Sequence, residues 1–137
     1  MKINREYQYN FSAMLHWQMY DVKGRERKAK TIIAMLRDFF KPDLKSLSVL
    51  DIGSSTGIIA NYCSNYFGKI VGIDIDEAAI KYANRTHKKN NLESIKSDSM
   101  AIEFQESEFD VAICAQVYEH VPDANKLIQE IHRVLKP

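Results

Sequence analysis

The run Val49-Leu50-Asp51-Ile52-Gly53-Ser54-Ser55-Thr56-Gly57, followed by Val71-Gly72-Ile73-Asp74, constrains this chain more than any other feature. An apolar segment enters a glycine-bearing turn, helical spacing follows, and a second apolar segment ends on a carboxylate. That is the layout of a strand, turn, helix and strand whose turn approaches a nucleotide-like cofactor and whose carboxylate, about 20 residues further on, meets a ribose. Gly53 and Gly57 supply the backbone freedom such a turn needs, and the turn is expected to present free backbone N–H groups to the ligand.

The rest of the chain continues the alternation. Residues 25–40 place Ile32, Ile33, Met35, Leu36, Phe39 and Phe40 at helical spacing behind a charged run from Lys23 to Lys30, and Lys41-Pro42-Asp43 ends that helix. Residues 48–52 read as a strand, 57–67 as a helix, 69–75 as a second strand and 77–87 as a helix with Ala78, Ala79, Ile80, Tyr82 and Ala83 available for its inner face. Asp76 caps that helix, and Lys88-Lys89-Asn90-Asn91 turns the chain. Only Ile95 is strongly apolar in a third strand over 94–97. By contrast Val111-Ala112-Ile113-Cys114-Ala115, within a strand over 109–115, is the continuous apolar run of a parallel strand covered on both faces. Residues 124–135 read as a helix capped by Asp123. The pattern predicts an α/β fold, a Rossmann-like, mostly parallel sheet with helices on both faces. The first twenty residues hold Tyr7, Tyr9, Phe11, Met14, Leu15, Trp17, Met19 and Tyr20 without a clean period, so that segment is expected to pack on something.

Several function classes are disfavoured at once. With 19 basic and 18 acidic residues the net charge is +1, which supplies no field for nucleic acid, and the lysine runs are not interleaved with stacking aromatics. Residues 23–30 and Lys88-Lys89 therefore read as solvated faces. Cys63 and Cys114 are far apart and read as reduced core residues, and no clustered ligands suggest a metal. No apolar run approaches the ~18 residues of a membrane span, and the first residues lack the pattern of a signal peptide, so the cytoplasm is the expected compartment.

A dinucleotide fingerprint would place glycines at 53, 55 and 58, whereas this chain has Gly53, Ser55 and Ile58. The run 49–57 instead resembles the first motif of class I S-adenosylmethionine-dependent methyltransferases. Val71-Gly72-Ile73-Asp74-Ile75-Asp76 is similar to the family's second-strand segment, and Ser97-Asp98-Ser99 to its adenine-edge segment. Phe109-Asp110-Val111 through Glu119-His120-Val121-Pro122-Asp123 is similar to its fourth strand and following loop, and Arg133-Val134-Leu135-Lys136-Pro137 to its next motif, cut before the usual glycine pair. Five motifs in order over residues 48–137 look most like methyltransferases of the Methyltransferase type 11 kind.

The resemblance implies a fold whose C-terminal strands are absent here, so the fourth strand presents an edge that a second chain could cover. It also implies two parts, a helical cap or lid over 1–45 and an S-adenosylmethionine-binding domain over 46–137. Asp51 and Gly53, with the loop residues Ser54, Ser55 and Gly57, would bound the methionine side. Asp74 would accept both ribose hydroxyls, Asp98 would take the adenine amino group with Ser99 beside the ring, and Ile75, Met100 and Val117 would give apolar contacts. His120, next to Glu119, would remove a proton from a hydroxyl acceptor.

Plainer roles compete with these. Asp51 could orient its turn, Asp98 could cap a turn, and Asp110 reads as structural. Ser55, where the family has glycine, could crowd the loop or add a hydroxyl contact. His120 could be a hydrogen-bonded loop residue, and His16, His87 and His132 read as solvated or packing groups. The expected activity is methyl transfer to a small-molecule or lipid-like acceptor. A non-catalytic S-adenosylmethionine-binding module and a NAD-dependent oxidoreductase are the alternatives.

Overall fold

Four parallel strands in the order β3-β2-β1-β4 form the centre of the molecule. The computed structural model describes residues 11–14, 16–41 and 43–137. Tyr7, Tyr9, Leu15 and Pro42, and the charged residues in 1–6, lie outside the described residues, as do the side chains of Met14 and His16. Two short helices, α1 (Phe11–Met14) and α2 (His16–Met19), precede the long α3 (Val22–Phe40). Then come β1 (Ser48–Ile52), α4 (Ile58–Cys63), β2 (Lys69–Asp74), α5 (Glu77–Thr86), β3 (Leu92–Lys96), β4 (Val111–Cys114) and α6 (Ala124–Val134), with 3₁₀ turns at Leu44–Ser46 and Tyr118–His120.

The two-residue period of β1 sorts the core. Val49 packs with Ala29 and Ile33 of α3, Ile59 and Cys63 of α4, and Ile113 of β4 on one face of the sheet. Leu50 and Ile52 turn to the other face, where Phe109, Leu127 and Val134 bury them beneath α6. Asp51 shares the side of Val49 and therefore points toward α3 and α4. After β3 the chain crosses back past β2 and β1 to pair β4 with β1, Val49 opposite Val111. The direction of winding reverses between β1 and β4, and in open parallel sheets the crevice beyond the strand ends at such a switch is where ligands bind.

Several boundaries differ from the sequence reading for local reasons. Helix α3 begins at Val22 because Asp21 caps it, its carboxylate accepting the Gly24 N–H at 3.1 Å. Helix α4 stops at Cys63 instead of residue 67: Ser64 Oγ donates back to the Asn61 carbonyl at 2.6 Å, and Lys89 Nζ takes that carbonyl and Asn65 Oδ1. Strand β3 starts two residues before the expected 94, at Leu92, in register with Ile70, and Asn84 of α5 clamps Ser94 through both backbone groups, at 2.7 and 3.1 Å. The caps at Asp76 and Asp123 form as read.

Two expectations about the core fail. Cys63 is fully buried, but Cys114 is exposed, because among the described residues β4 pairs only with β1 and Cys114 closes its end. Met100 does not reach a ligand space; Asp98 accepts the Met100 N–H at 2.9 Å and the resulting turn drives that side chain into the α6-side core. Asp110 is structural as read, accepting the Ser48 N–H at 2.8 Å and pairing with Lys136 at 3.0 Å.

Candidate functional site

The loop after β1 satisfies itself. Gly53 and Ser54 N–H both donate to the Ile73 carbonyl, at 2.8 and 2.9 Å, Gly57 N–H donates to Ser54 O at 2.9 Å, and Ser55 N–H donates to Asp74 Oδ2 at 2.8 Å. The expected free donors are therefore not available at these four residues, and a pyrophosphate would find no cradle there. Gly53 (φ +71) is required twice over, since a Cβ would also strike Val117 Cγ2 from the loop after β4. Gly57 (φ +78) faces α5, where a Cβ would lie 2.9 Å from that of Ala83, so it shapes the turn and does not line the cavity. Ser55 holds the left-handed conformation at φ +50 and sends its hydroxyl to Met19 Sδ at 3.0 Å. It adds a contact and carries backbone strain together.

A cavity of about 530 Å³ opens over this loop at the C-terminal ends of the strands. Asp51, Gly53, Ser54 and Ser55 line one side of it, Asp74 and Ile75 the next, and Asp98 and Ser99 the far end. Val117, Glu119 and His120 line the side beyond β4, and Phe11, Trp17, Met19 and Arg25 the roof. Of the predicted contact residues, only Gly57 and Met100 are away from it.

Two carboxylates dominate the field. Asp51 is 3% exposed, and its Oδ2 has no hydrogen-bond partner among the described residues. Burial first, then the Asp74 carboxylate, raises its pKa to about 7, with Arg25 opposing. Asp74 is also raised by burial, although the N–H groups of Asp76 and Ser55, each at 2.8 Å, favour its charged form. Each Asp74 oxygen keeps room for a further donor. Ser54 Oγ and Ser97 Oγ, on residues that line the same cavity, are likewise buried without a partner. Unmet buried polar atoms gathered on one cavity are what a polar ligand would satisfy.

Residues 50–137 match the methyltransferase domain family. The chain belongs to that family. It is similar to the ubiquinone biosynthesis O-methyltransferase of Pseudomonas aeruginosa, 34% identical over 69% of this chain and 42% of the relative. The demethylmenaquinone methyltransferase of Lactococcus lactis is also 34% identical, over 69% of this chain and 40% of the relative. The chain thus spans about four-tenths of the length of these curated relatives. A Pyrococcus horikoshii protein of known structure superposes with a TM-score of 0.77 at 24% identity, covering 95% of this chain and 63% of that one, which supports the fold. Class I methyltransferases use S-adenosylmethionine, and the occupied loop N–H groups agree with a cofactor that carries no phosphate.

The donor set of this methyltransferase domain fits that cofactor. S-adenosylmethionine carries a sulfonium and an ammonium, a ribose diol and no phosphate, and the cavity offers buried carboxylates where a dinucleotide site would offer free N–H groups. The structure also adds residues that the sequence reading assigned to a solvated face. Arg25 lies in the cavity roof with burial depressing its pKa against the pull of Asp51, Asp21 and Asp74. Lys28 Nζ donates to Gln116 Oε1 at 2.6 Å, and Gln116 is itself left-handed at φ +59. The signal was present in the spacing: Arg25, Ala29 and Ile33 form one i, i+4 spine, of which Ala29 and Ile33 are buried.

The remaining histidines separate. His120 lies in the 3₁₀ turn beyond β4, 3.8 Å from Glu119 and 5.8 Å between ring centroids from Phe11. His87 packs edge-on to Tyr82 and lies 3.1 Å from the Thr56 carbonyl, with burial lowering its pKa, so it buttresses the loop from behind. His132 lies on α6 outside the cavity. Among the described residues no group of acidic, cysteine or histidine side chains could hold a metal, and no helix is long and apolar enough to cross a membrane.

Proposed function

We propose that this chain binds S-adenosylmethionine over the ends of β1, β2 and β3 and directs methyl transfer to a small aromatic or lipid-like acceptor that enters beside Glu119 and His120. The observation that carries the reading is the buried Asp51 oxygen without a partner, in the same cavity as Asp74. The cofactor would supply an electrophilic methyl carbon on its sulfonium. Asp74, held in place by the Ser55 and Asp76 N–H groups, accepts the ribose hydroxyls on its remaining lone pairs. Asp51 faces the cationic end, and Asp98 and Ser99 meet the adenine edge.

His120 takes the acceptor proton, and Glu119 beside it favours the imidazolium that results. Ile75 and Val117 exclude water. Helices α1 and α2 act as a flap: Ser12 N–H donates to Asp76 Oδ2 at 2.7 Å and Thr56 Oγ1 to the Met19 carbonyl at 2.5 Å, which closes the roof onto the cofactor loop. The exposed Trp17 and the half-buried Phe11 at the mouth suit a ring-bearing acceptor, and the two quinone-pathway relatives support that class.

Calorimetric titration with S-adenosylmethionine, S-adenosylhomocysteine and NAD, followed by a methyl-transfer assay on phenolic acceptors, tests this reading. Micromolar binding of the two adenosyl ligands without NAD, and turnover lost in His120→Ala, is the expected result. Binding of NAD alone overturns it. Adenosyl binding without turnover on any acceptor favours the binding-module reading, to which β4, paired on one side only, lends support.

A further inference from the structure

We propose that Lys28 and Gln116 form a clamp for a carboxylate on the acceptor side of the cavity, so that the methyl acceptor of this chain is a ring-bearing acid. This rests on the reading just given and deepens it by naming the acceptor class.

The two side chains come from distant parts of the sequence and meet between α3 and the loop after β4. Lys28 Nζ donates to Gln116 Oε1 at 2.6 Å, and both residues line the cavity. An ammonium can only donate, so Gln116 has to turn its carbonyl oxygen toward Lys28 and its NH₂ group away from it. Among the described residues that NH₂ group has no acceptor, and the ammonium, with three donors, has no carboxylate partner. A cation and an amide NH₂ side by side make an edge that only donates. Its complement is a carboxylate, with one oxygen on each group.

A surface hydrogen bond formed for stability alone does not account for the pair. Gln116 is held at φ +59, and a left-handed backbone in a residue other than glycine costs at least as much as one exposed hydrogen bond returns. Strain kept at a cavity wall is what a ligand-holding residue shows. The position also separates the pair from the cofactor end. Of the two cations that α3 brings to the cavity, Arg25 is the one that opposes the raised pKa of Asp51, whereas Lys28 reaches across to Gln116. Val117, Glu119 and His120, which follow Gln116, line the side where the acceptor enters. Glu119 lies 3.8 Å from His120 and forms no ion pair with Lys28, so the clamp keeps its positive charge. An acid held there by its carboxylate packs its ring toward Trp17 and Phe11 and leaves its hydroxyl to His120.

Two probes of nearly one shape separate charge from fit: para-hydroxybenzoate, anionic at neutral pH, and para-hydroxybenzamide, which is uncharged. Each is titrated into the chain saturated with S-adenosylhomocysteine, with calorimetry and the fluorescence of Trp17, the one tryptophan of the sequence, as the two signals. The wild-type chain should bind the acid about 10-fold more tightly than the amide. Lys28→Met should bring the two probes to within about twofold of each other, and Lys28→Glu should reverse their order. Gln116→Gly, which relieves the left-handed backbone and removes the amide, should weaken the acid about 3- to 10-fold in a chain at least as stable as wild type. Affinity for S-adenosylhomocysteine should stay within about twofold in all three variants. Binding of S-adenosylhomocysteine by wild type with no preference for the acid, or with neither probe bound, overturns the inference. So does a Lys28→Met loss that falls on S-adenosylhomocysteine, which would assign Lys28 to the cofactor. If wild type does not bind S-adenosylhomocysteine, the cofactor reading itself fails and takes this one with it. Should Lys28→Met not fold by circular dichroism, the same comparison on Gln116→Gly decides the matter.

Discussion

The cavity over the strand ends and the groove beside β4 are built on the same sheet, yet they are opposite in chemistry. The cavity carries Asp51, Ser54 and Ser97 with buried atoms that no described residue satisfies, beside a loop with left-handed residues at Gly53, Ser55 and Gly57. The groove, about 250 Å³ between α3 and β4, is lined by Ile32, Met35, Leu36, Val111, Ile113 and Cys114 and offers no charged side chain. An unmet buried polar group costs about 1 to 3 kcal/mol, whereas burying apolar surface stabilises. The cavity is thus where the fold gives up stability for a ligand, and the groove is where it leaves apolar surface uncovered. Only the first arrangement implies chemistry.

The largest expected effect bears on Asp51. Its folded pKa, about 7, lies above the ordinary 3.8, so the folded state holds the proton more tightly than the unfolded chain does. The Asp51 contribution to stability should therefore be fully present below pH 4, decline as pH rises from about 4 to about 7, and level off above, by at most on the order of 4 kcal/mol, while Asp110 and Glu130, whose pKa values are lowered, act in the opposite sense at the acid end. Asp51→Asn should flatten that part of the profile in urea titrations across pH, and a wild-type profile without the decline would contradict the buried, unpartnered carboxylate.

Gly53→Val comes next. Left-handed backbone and the collision with Val117 together should cost about 3 kcal/mol, with Val117→Ala in the same chain restoring part of it. A variant as stable as wild type would show that the loop does not pack on β4's exit as described. The smallest effect belongs to the groove. Met35, 63% exposed there, should tolerate Glu within about 0.5 kcal/mol and with unchanged adenosyl binding. A large loss would mean that the groove is packed surface and would weaken the contrast.

How much was legible in the sequence follows the same division. Strands β1 and β2 were read almost to the residue because both faces are buried and the apolar run is continuous. Strand β3 was faint because it is an edge whose one buried residue is the polar Ser94, while its strongly apolar Ile95, opposite Ile73, is only partly buried and Glu93 and Lys96 face water. The carboxylates at 51, 74 and 98 were legible from motif spacing, as were the caps at 76 and 123. Arg25 was hidden because a run of charges masks which member continues the Ala29 and Ile33 spine. Cys114 was misjudged because apolar character in a strand does not say whether a neighbour covers it, and Met100 because its direction is set by a turn that Asp98 makes with its own backbone.

If the ends of β1 and β2 hold an adenosyl cofactor through their carboxylates, Asp74 is the residue on which its affinity depends most. Titration of S-adenosylhomocysteine into wild type and Asp74→Ala, with thermal melts to verify folding and Asp74→Asn as the size-matched variant, should show a loss of about 100-fold or more in the alanine chain. The asparagine chain should fall between. Equal affinity in all three folded chains would contradict a ribose-holding role for Asp74 and the placement of the cofactor with it.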